Sequence, residues 1–166
     1  MNPISQSSEH MIRALTFLAQ HHGKGYFLAR EMGAELGIPA PYLAKLLRPL
    51  VGRGVLESQR GRGGGFRLAV APEKLTLLDI VDAQENLTGS RRCFLGQAEC
   101  SDDRACPVHD TWKVASEHLV QRLMRTTLAD TAQFCEERPE SGYPGPTPGA
   151  PHPVAPPHQG GDAQRG

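Results

Sequence analysis

YLAKLLRPLVGRGVLESQRGRGGGFRLA, residues 42–69, changes its periodicity halfway along. In the first half Leu43, Leu46, Leu47 and Leu50 recur at i, i+3, i+4 and i+7, which puts them on one buried face of a helix. Tyr42, Lys45 and Arg48 fall outside that face. Pro49 removes a backbone donor and crowds the carbonyl of Lys45, so a kink or an early finish is expected there, and Gly52 and Gly54 end the element in any case. Val55–Gln59 then reads as a strand and Gly65–Val70 as its partner. The glycines at 61, 63, 64 and 65 supply the positive φ values that the connecting hairpin needs.

Upstream, Ser7 or Ser8 caps a helix running to about His22, with Met11, Leu15, Leu18 and Ala19 at spacings of three and four. Tyr26–Leu28 is a short apolar bridge. Residues 29–38, AREMGAELGI, form a second helix with Met32 and Leu36 inward and Gly37 as its stop. A turn through Pro39–Pro41 leads into the helix first quoted. Helix, turn, helix and hairpin in that order describe a winged helix-turn-helix domain, assigned to residues 1–75.

Downstream, LTLLDIVDAQEN opens a further helix at Thr76. Val108, Trp112, Ala115, Leu119 and Leu123 then form one apolar stripe on a helix of roughly twenty residues. A second copy of the chain would bury that stripe, and so would the chain's own winged helix. Thr127-Leu-Ala-Asp130 resembles a capping box for a last short helix to about Cys135. Residues 76–135 are therefore read as helix, cysteine loop and dimerisation helix. From Glu136 to Gly166 proline and glycine dominate, and this tail is expected to be disordered, with His152 and His158 too isolated for a metal site. The fold class is mainly α with a small β-hairpin: a winged helix-turn-helix domain plus a long C-terminal dimerisation helix.

The zero net charge conceals a split. Residues 1–74 carry ten Lys and Arg against five Asp and Glu, and residues 75–166 carry eight against thirteen. Lys45, Arg48, Arg53, Arg60, Arg62 and Arg67 face only Glu57, which points to a polyanion partner for the first half. A winged helix lays its third helix in the major groove of double-stranded DNA. Lys45 is placed to meet a guanine or a phosphate, and Tyr42 a phosphate or a thymine methyl. Ser58, Arg60 and Arg62 follow on strand and hairpin, with Arg62 at the tip suited to an adjacent minor groove. Arg48 and Arg53 are assigned to backbone phosphates.

Three of the four cysteines lie in Cys93–His109, CFLGQAECSDDRACPVH. Cys93, Cys100, Cys106 and His109 form a candidate metal or iron–sulfur nest. Zinc held by three Cys and one His is the alternative, although only Cys106 and His109 have the short spacing of structural zinc sites. A metal-free thiol switch is the third reading. Arg91, Arg92 and Arg104 flank the loop and favour thiolates, whereas Cys135 stands apart as a small hydrophobe. The N-terminus MNPISQSSEH has no apolar signal region and nothing approaches a membrane span, so a cytoplasmic protein with reduced thiols is expected. No nucleophile–base pair appears, and RGRGGGF lacks the lysine and hydroxyl residue of a phosphate loop, so an enzyme is not expected. An iron–sulfur electron carrier would not need the basic helix and hairpin.

The quoted run, LTLLDIVDA after it, and three cysteines before a long helix together resemble the Rrf-type bacterial transcription regulators. The likeness runs from about Ile4 to Ala132, and the wing from Arg60 to Phe66 is its most specific part. It implies a homodimer on partly palindromic operators and, in members with the three cysteines, a 2Fe-2S or 4Fe-4S cluster sensing iron, redox or nitric-oxide status. Cys93, Cys100 and Cys106 match the family's thiolate positions, with a first interval one residue longer than in its best-known members. One family pattern takes its fourth ligand from a histidine three residues after the last cysteine, matched by His109. Another takes a carboxylate near the start of the first helix of the other protomer, a position that Glu9 occupies. Ala44 stands where part of the family carries a glutamate that tunes operator choice.

Overall fold

The computed structural model describes residues 3–87 and 93–146. Helix α1 (Gln6–Gln20) is its hub and packs against every layer around it. It starts two residues earlier than the serine pair suggested. Ser5 is the cap, its hydroxyl accepting the Ser8 amide at 3.2 Å, while the Ser8 hydroxyl is buried and donates to Glu85. Met11, Ala14 and Leu15 are fully buried.

Helices α2 (Ala29–Leu36) and α3 (Ala40–Gly52) form the helix-turn-helix, with left-handed Gly37 (φ 67°) ending α2. The four leucines of α3 are all buried, as their spacing requires. Pro49 does not stop α3, which continues to Gly52. Pro49 lies on the exposed side with Lys45, where water can take the carbonyl left without its partner, and buried Leu50 holds the last turn down.

Strands β1 (Leu56–Gln59) and β2 (Gly65–Leu68) pair antiparallel, with Leu56 opposite Leu68 and Gln59 opposite Gly65. Phe27 adds a third edge: its amide and carbonyl exchange 2.9 Å bonds with Phe66. Gly65 makes that approach possible, because a Cβ there would overlap the Phe27 carbonyl, and its φ of 133° excludes most side chains. Gly65→Ala is therefore expected to detach the Phe27 edge and cost about 2 kcal/mol or more, read as a lower urea midpoint.

The core does not stop at residue 75. Helix α4 (Leu77–Glu85), opened by a Thr76–Asp79 capping box, contributes Ile80 and Val81 to the same cluster as α1 and α3. Helix α5 (His109–Arg125) leaves that core. Helix α6 (Leu128–Glu137) returns to it through Leu128, which is fully buried. The return is fastened by bonds from Leu77 to the Thr126 carbonyl (2.8 Å) and from Leu128 to the Leu75 carbonyl (2.9 Å). The expected Thr127–Asp130 capping box is present.

The proline-rich tail differs from expectation at its start. Residues 139–146 fold back on the helix-turn-helix rather than leaving it. Arg13 donates from Nε to the Pro144 carbonyl (2.7 Å) and from Nη2 to the Leu36 carbonyl. The Tyr143 hydroxyl meets Thr16 (3.3 Å), and its ring stands edge-on to Phe134. Composition hid this because one half-buried tyrosine, a buried proline and one arginine-bound carbonyl suffice to dock a strap that short. Residues 147–166 of the tail, including His152 and His158, lie outside the described residues. Ending the chain after Arg138 is expected to cost about 1–3 kcal/mol, on the order of one half-buried aromatic and one buried proline. That loss is a fall of several degrees in the thermal midpoint, readable by calorimetry.

Candidate DNA interface and cysteine loop

The basic residues divide into free and engaged groups. Lys45 and Arg48 are exposed on the solvent side of α3, and Ser58, Arg60 and Arg62 are exposed on the strand and wing. Arg62 sits at the wing's tip in a turn closed by a bond from the Gly64 amide to the Gly61 carbonyl (3.1 Å), with Gly63 in the left-handed position. Tyr42 is half-buried instead: its hydroxyl pairs with Ser7 at 3.0 Å and its ring meets His10 edge-on. Burial, with Arg13 nearby, holds the His10 imidazole below its ordinary value. Arg53 reaches the Ala83 carbonyl in α4 at 3.5 Å. Arg67 pairs with Glu57 (2.6 Å) and lies over the Tyr26 ring, so much of its charge is answered within the hairpin. That bond holds the Glu57 carboxyl below the usual range, assisted by the Tyr26 hydroxyl.

The loop brings its predicted donors together in two pairs. Cys106 lies beside Cys93, close enough to help lower its thiol pKa, and the Cys100 Sγ lies 3.4 Å from His109 Nδ1. The backbone amide of Gln97, then those of Leu95 and Gly96 with the Cys106 thiol, pull the Cys93 thiol below its ordinary value against the effect of burial. Among the described residues no three His, Cys, Asp or Glu side chains converge closely enough to hold a single ion. Glu9 stands on the first turn of α1, 3.7 Å from Arg13. Cys135 is buried on α6, bonded to the Thr131 carbonyl, and burial pushes its thiol up. Arg104 is exposed on the loop, and Arg91 and Arg92 lie outside the described residues.

Two features of the loop were not read from the sequence. His109 is 5% exposed, and its Nε2 meets Asp102 at 2.8 Å, while Lys113 donates to both Asp102 oxygens (2.8 and 3.0 Å). Lys113 first, then His109, holds the Asp102 carboxyl down to about 2. In addition, Phe94 packs on Trp112 with ring centroids 5.3 Å apart. His109 and Lys113 share a helix face at i and i+4, which the sequence does show. That Asp102 folds back onto them is a product of the loop's path.

A family model for Rrf2, an iron-dependent transcriptional regulator, matches residues 4–133. The chain belongs to the Rrf2 family. An HTH-type transcriptional regulator of Aquifex aeolicus is 31% identical over 80% of this chain and 93% of its own length. The HTH-type transcriptional regulator IscR of Aliivibrio salmonicida is 24% identical over 76% of this chain and 75% of its own. Among solved structures, CymR, the global cysteine regulator of B. subtilis, superposes with a TM-score of 0.67 at 25% identity, over 81% of this chain and 98% of CymR. IscR of T. potens gives 0.65 at 26% identity, over 82% and 90%. This Rrf2-family chain is therefore a DNA-binding transcriptional regulator with a winged helix, and not an enzyme. Among the described residues no helix is long and apolar enough to cross a membrane.

Proposed function

We propose that this Rrf2-family regulator senses iron, redox or nitric-oxide status through a two-iron cluster in the Cys93–His109 loop, and that it binds operator DNA as a cytoplasmic homodimer. The donor pairing carries the reading. A 2Fe-2S cluster takes two terminal protein ligands on each iron. Cys93 with Cys106 and Cys100 with His109, neighbours on one loop, would supply two such pairs. Structural zinc needs four donors around one point, and the arrangement offers pairs instead. His109 is favoured over Glu9 of the second protomer as the fourth ligand because its ring is buried in the loop with Nδ1 toward Cys100. The cluster, when bound, supplies a group that oxidants, nitric oxide or iron shortage can alter. The chain's own part is to translate that change into position.

The loop is anchored on α5 by the Phe94–Trp112 contact and by the link from Asp102 to His109 and Lys113. The apolar stripe of α5 leaves Trp112 and Leu119 only half-covered, while the exposed Val114 and Met124 lie on other sides of the helix. A second copy is the occupant we assign to that face. Reordering the loop then shifts α5 at the dimer interface and changes the relative angle of the two winged helices. Half-site spacing tolerates little error, so operator affinity changes with it. On the DNA, Lys45 and Arg48 take the major groove and its phosphates, and Arg62 the adjacent minor groove. Ser58 and Arg60 take the backbone between them. Tyr42 and Arg53, engaged within the fold, act through the placement of α3.

The test is anaerobic purification and reconstitution, followed by iron, zinc and sulfide analysis. A coloured protein with about two irons per protomer is expected. About four irons would transfer the fourth position to Glu9. A colourless, iron-free protein would end the cluster reading in favour of zinc or a thiol switch.

A further inference from the structure

The contacts of His109 carry one step more, which rests on the cluster reading. We propose that Asp102, itself oriented by Lys113, is a positioning residue: it fixes His109 in the Nε2–H tautomer and so presents the Nδ1 lone pair to the cysteine side of the loop as the iron-binding atom.

The argument is one of donors and acceptors. At neutral pH an ionised carboxylate only accepts hydrogen bonds, so the 2.8 Å contact between Asp102 Oδ1 and His109 Nε2 requires the proton on Nε2. A neutral imidazole then has its lone pair on Nδ1. That atom lies 3.4 Å from Cys100 Sγ, on the cysteine side of the loop. The same lone pair is the one a metal would take, and a ligating histidine commonly has its other nitrogen bonded to a carboxylate.

Geometry gives the carboxylate little freedom. Lys113 lies one helical turn beyond His109 on α5 and holds both Asp102 oxygens. Asp102 comes from the short turn Asp102–Arg104, between Cys100 and Cys106, so this link also clamps the middle of the loop to the start of α5. The Asp102 side chain is itself 74% exposed, so its removal leaves the core untouched.

The experiment uses the full chain with ¹⁵N-labelled histidine, in wild-type, Asp102→Ala and Asp102→Asn forms, with far-UV circular dichroism confirming the fold of each. Long-range ¹H–¹⁵N correlation on the metal-free protein at neutral pH is expected to show His109 as a single Nε2–H tautomer in wild type. A tautomer mixture is expected in Asp102→Ala and partial recovery in Asp102→Asn, whose amide oxygen still accepts. After reconstitution, cluster lifetime against a chelator is expected to fall about 10- to 100-fold in Asp102→Ala and less in Asp102→Asn. An Nδ1–H tautomer in wild type would overturn the proposal, as would an Asp102→Ala protein unchanged in both tautomer and lifetime. A protein that never takes up iron yet shows the Asp102-dependent tautomer would support the positioning role and overturn only the cluster reading.

Discussion

Cys106→Ser protein, purified without oxygen and reconstituted beside wild type, is expected to retain almost no iron and to lose its visible absorption. Cys106 belongs to one donor pair through Cys93 and lies three residues before His109, whose Nδ1 belongs to the other pair. A serine hydroxyl is a far weaker ligand for iron than a thiolate, and a cluster short of one anchor hydrolyses. Cys135→Ser is the matched control. Its thiol is buried on α6, bonded to the Thr131 carbonyl, with its pKa raised by burial, so it has the character of packing rather than of a donor. Iron content should therefore separate the two variants completely, while thermal stability should separate them the other way, with Cys135→Ser the less stable. Equal iron in Cys106→Ser and wild type would remove the loop from the site.

How far these residues could be read in advance depends on the range of the interaction. The α3 leucines, the Gly37 stop, the Thr127–Asp130 cap and the hairpin glycines are local: each follows from spacing or from a backbone requirement within a few residues. The family's wing was legible for the same reason. What was not legible involves partners distant in the chain. Phe27 joins Phe66 across 39 positions, and Ser8 finds Glu85 on α4. Arg13 reaches Pro144 at the far end, so a stretch with the composition of a free tail begins as a docked strap.

The candidate DNA-contact residues show the same division. Exposure of Lys45, Arg48, Arg60 and Arg62 follows from their place opposite the leucine face or in the glycine turn. Spacing has no means of showing that Arg67 is answered by Glu57, or that Tyr42 is drawn to Ser7 and His10. The cysteine loop is intermediate. Its donors were named from their types, but their sorting into Cys93–Cys106 and Cys100–His109 needed the path of the chain.

The wing offers the second large effect, because its two free arginines are separable from its engaged one. Replacing Arg60 and Arg62 together by alanine is expected to weaken operator binding roughly 10- to 100-fold at moderate salt. Arg67→Ala, in contrast, should weaken it much less, since that guanidinium already spends its charge on Glu57 and on the Tyr26 ring. Neither change touches a buried side chain, so the fold should persist in both. The salt dependence sharpens the comparison. Each phosphate neutralised by a basic side chain contributes about 0.9 to the slope of log affinity against log salt. Arg60 on the backbone should accordingly remove about one unit. Arg62, if it enters a narrow minor groove, should alter preference for A·T-rich flanks more than it alters slope. Titrations of a fluorescent operator at three salt concentrations, with A·T-rich and G·C-rich flanks, resolve the two roles. Unchanged affinity in the double variant would mean that the hairpin does not touch DNA, leaving Lys45 and Arg48 on α3 to carry the interface alone.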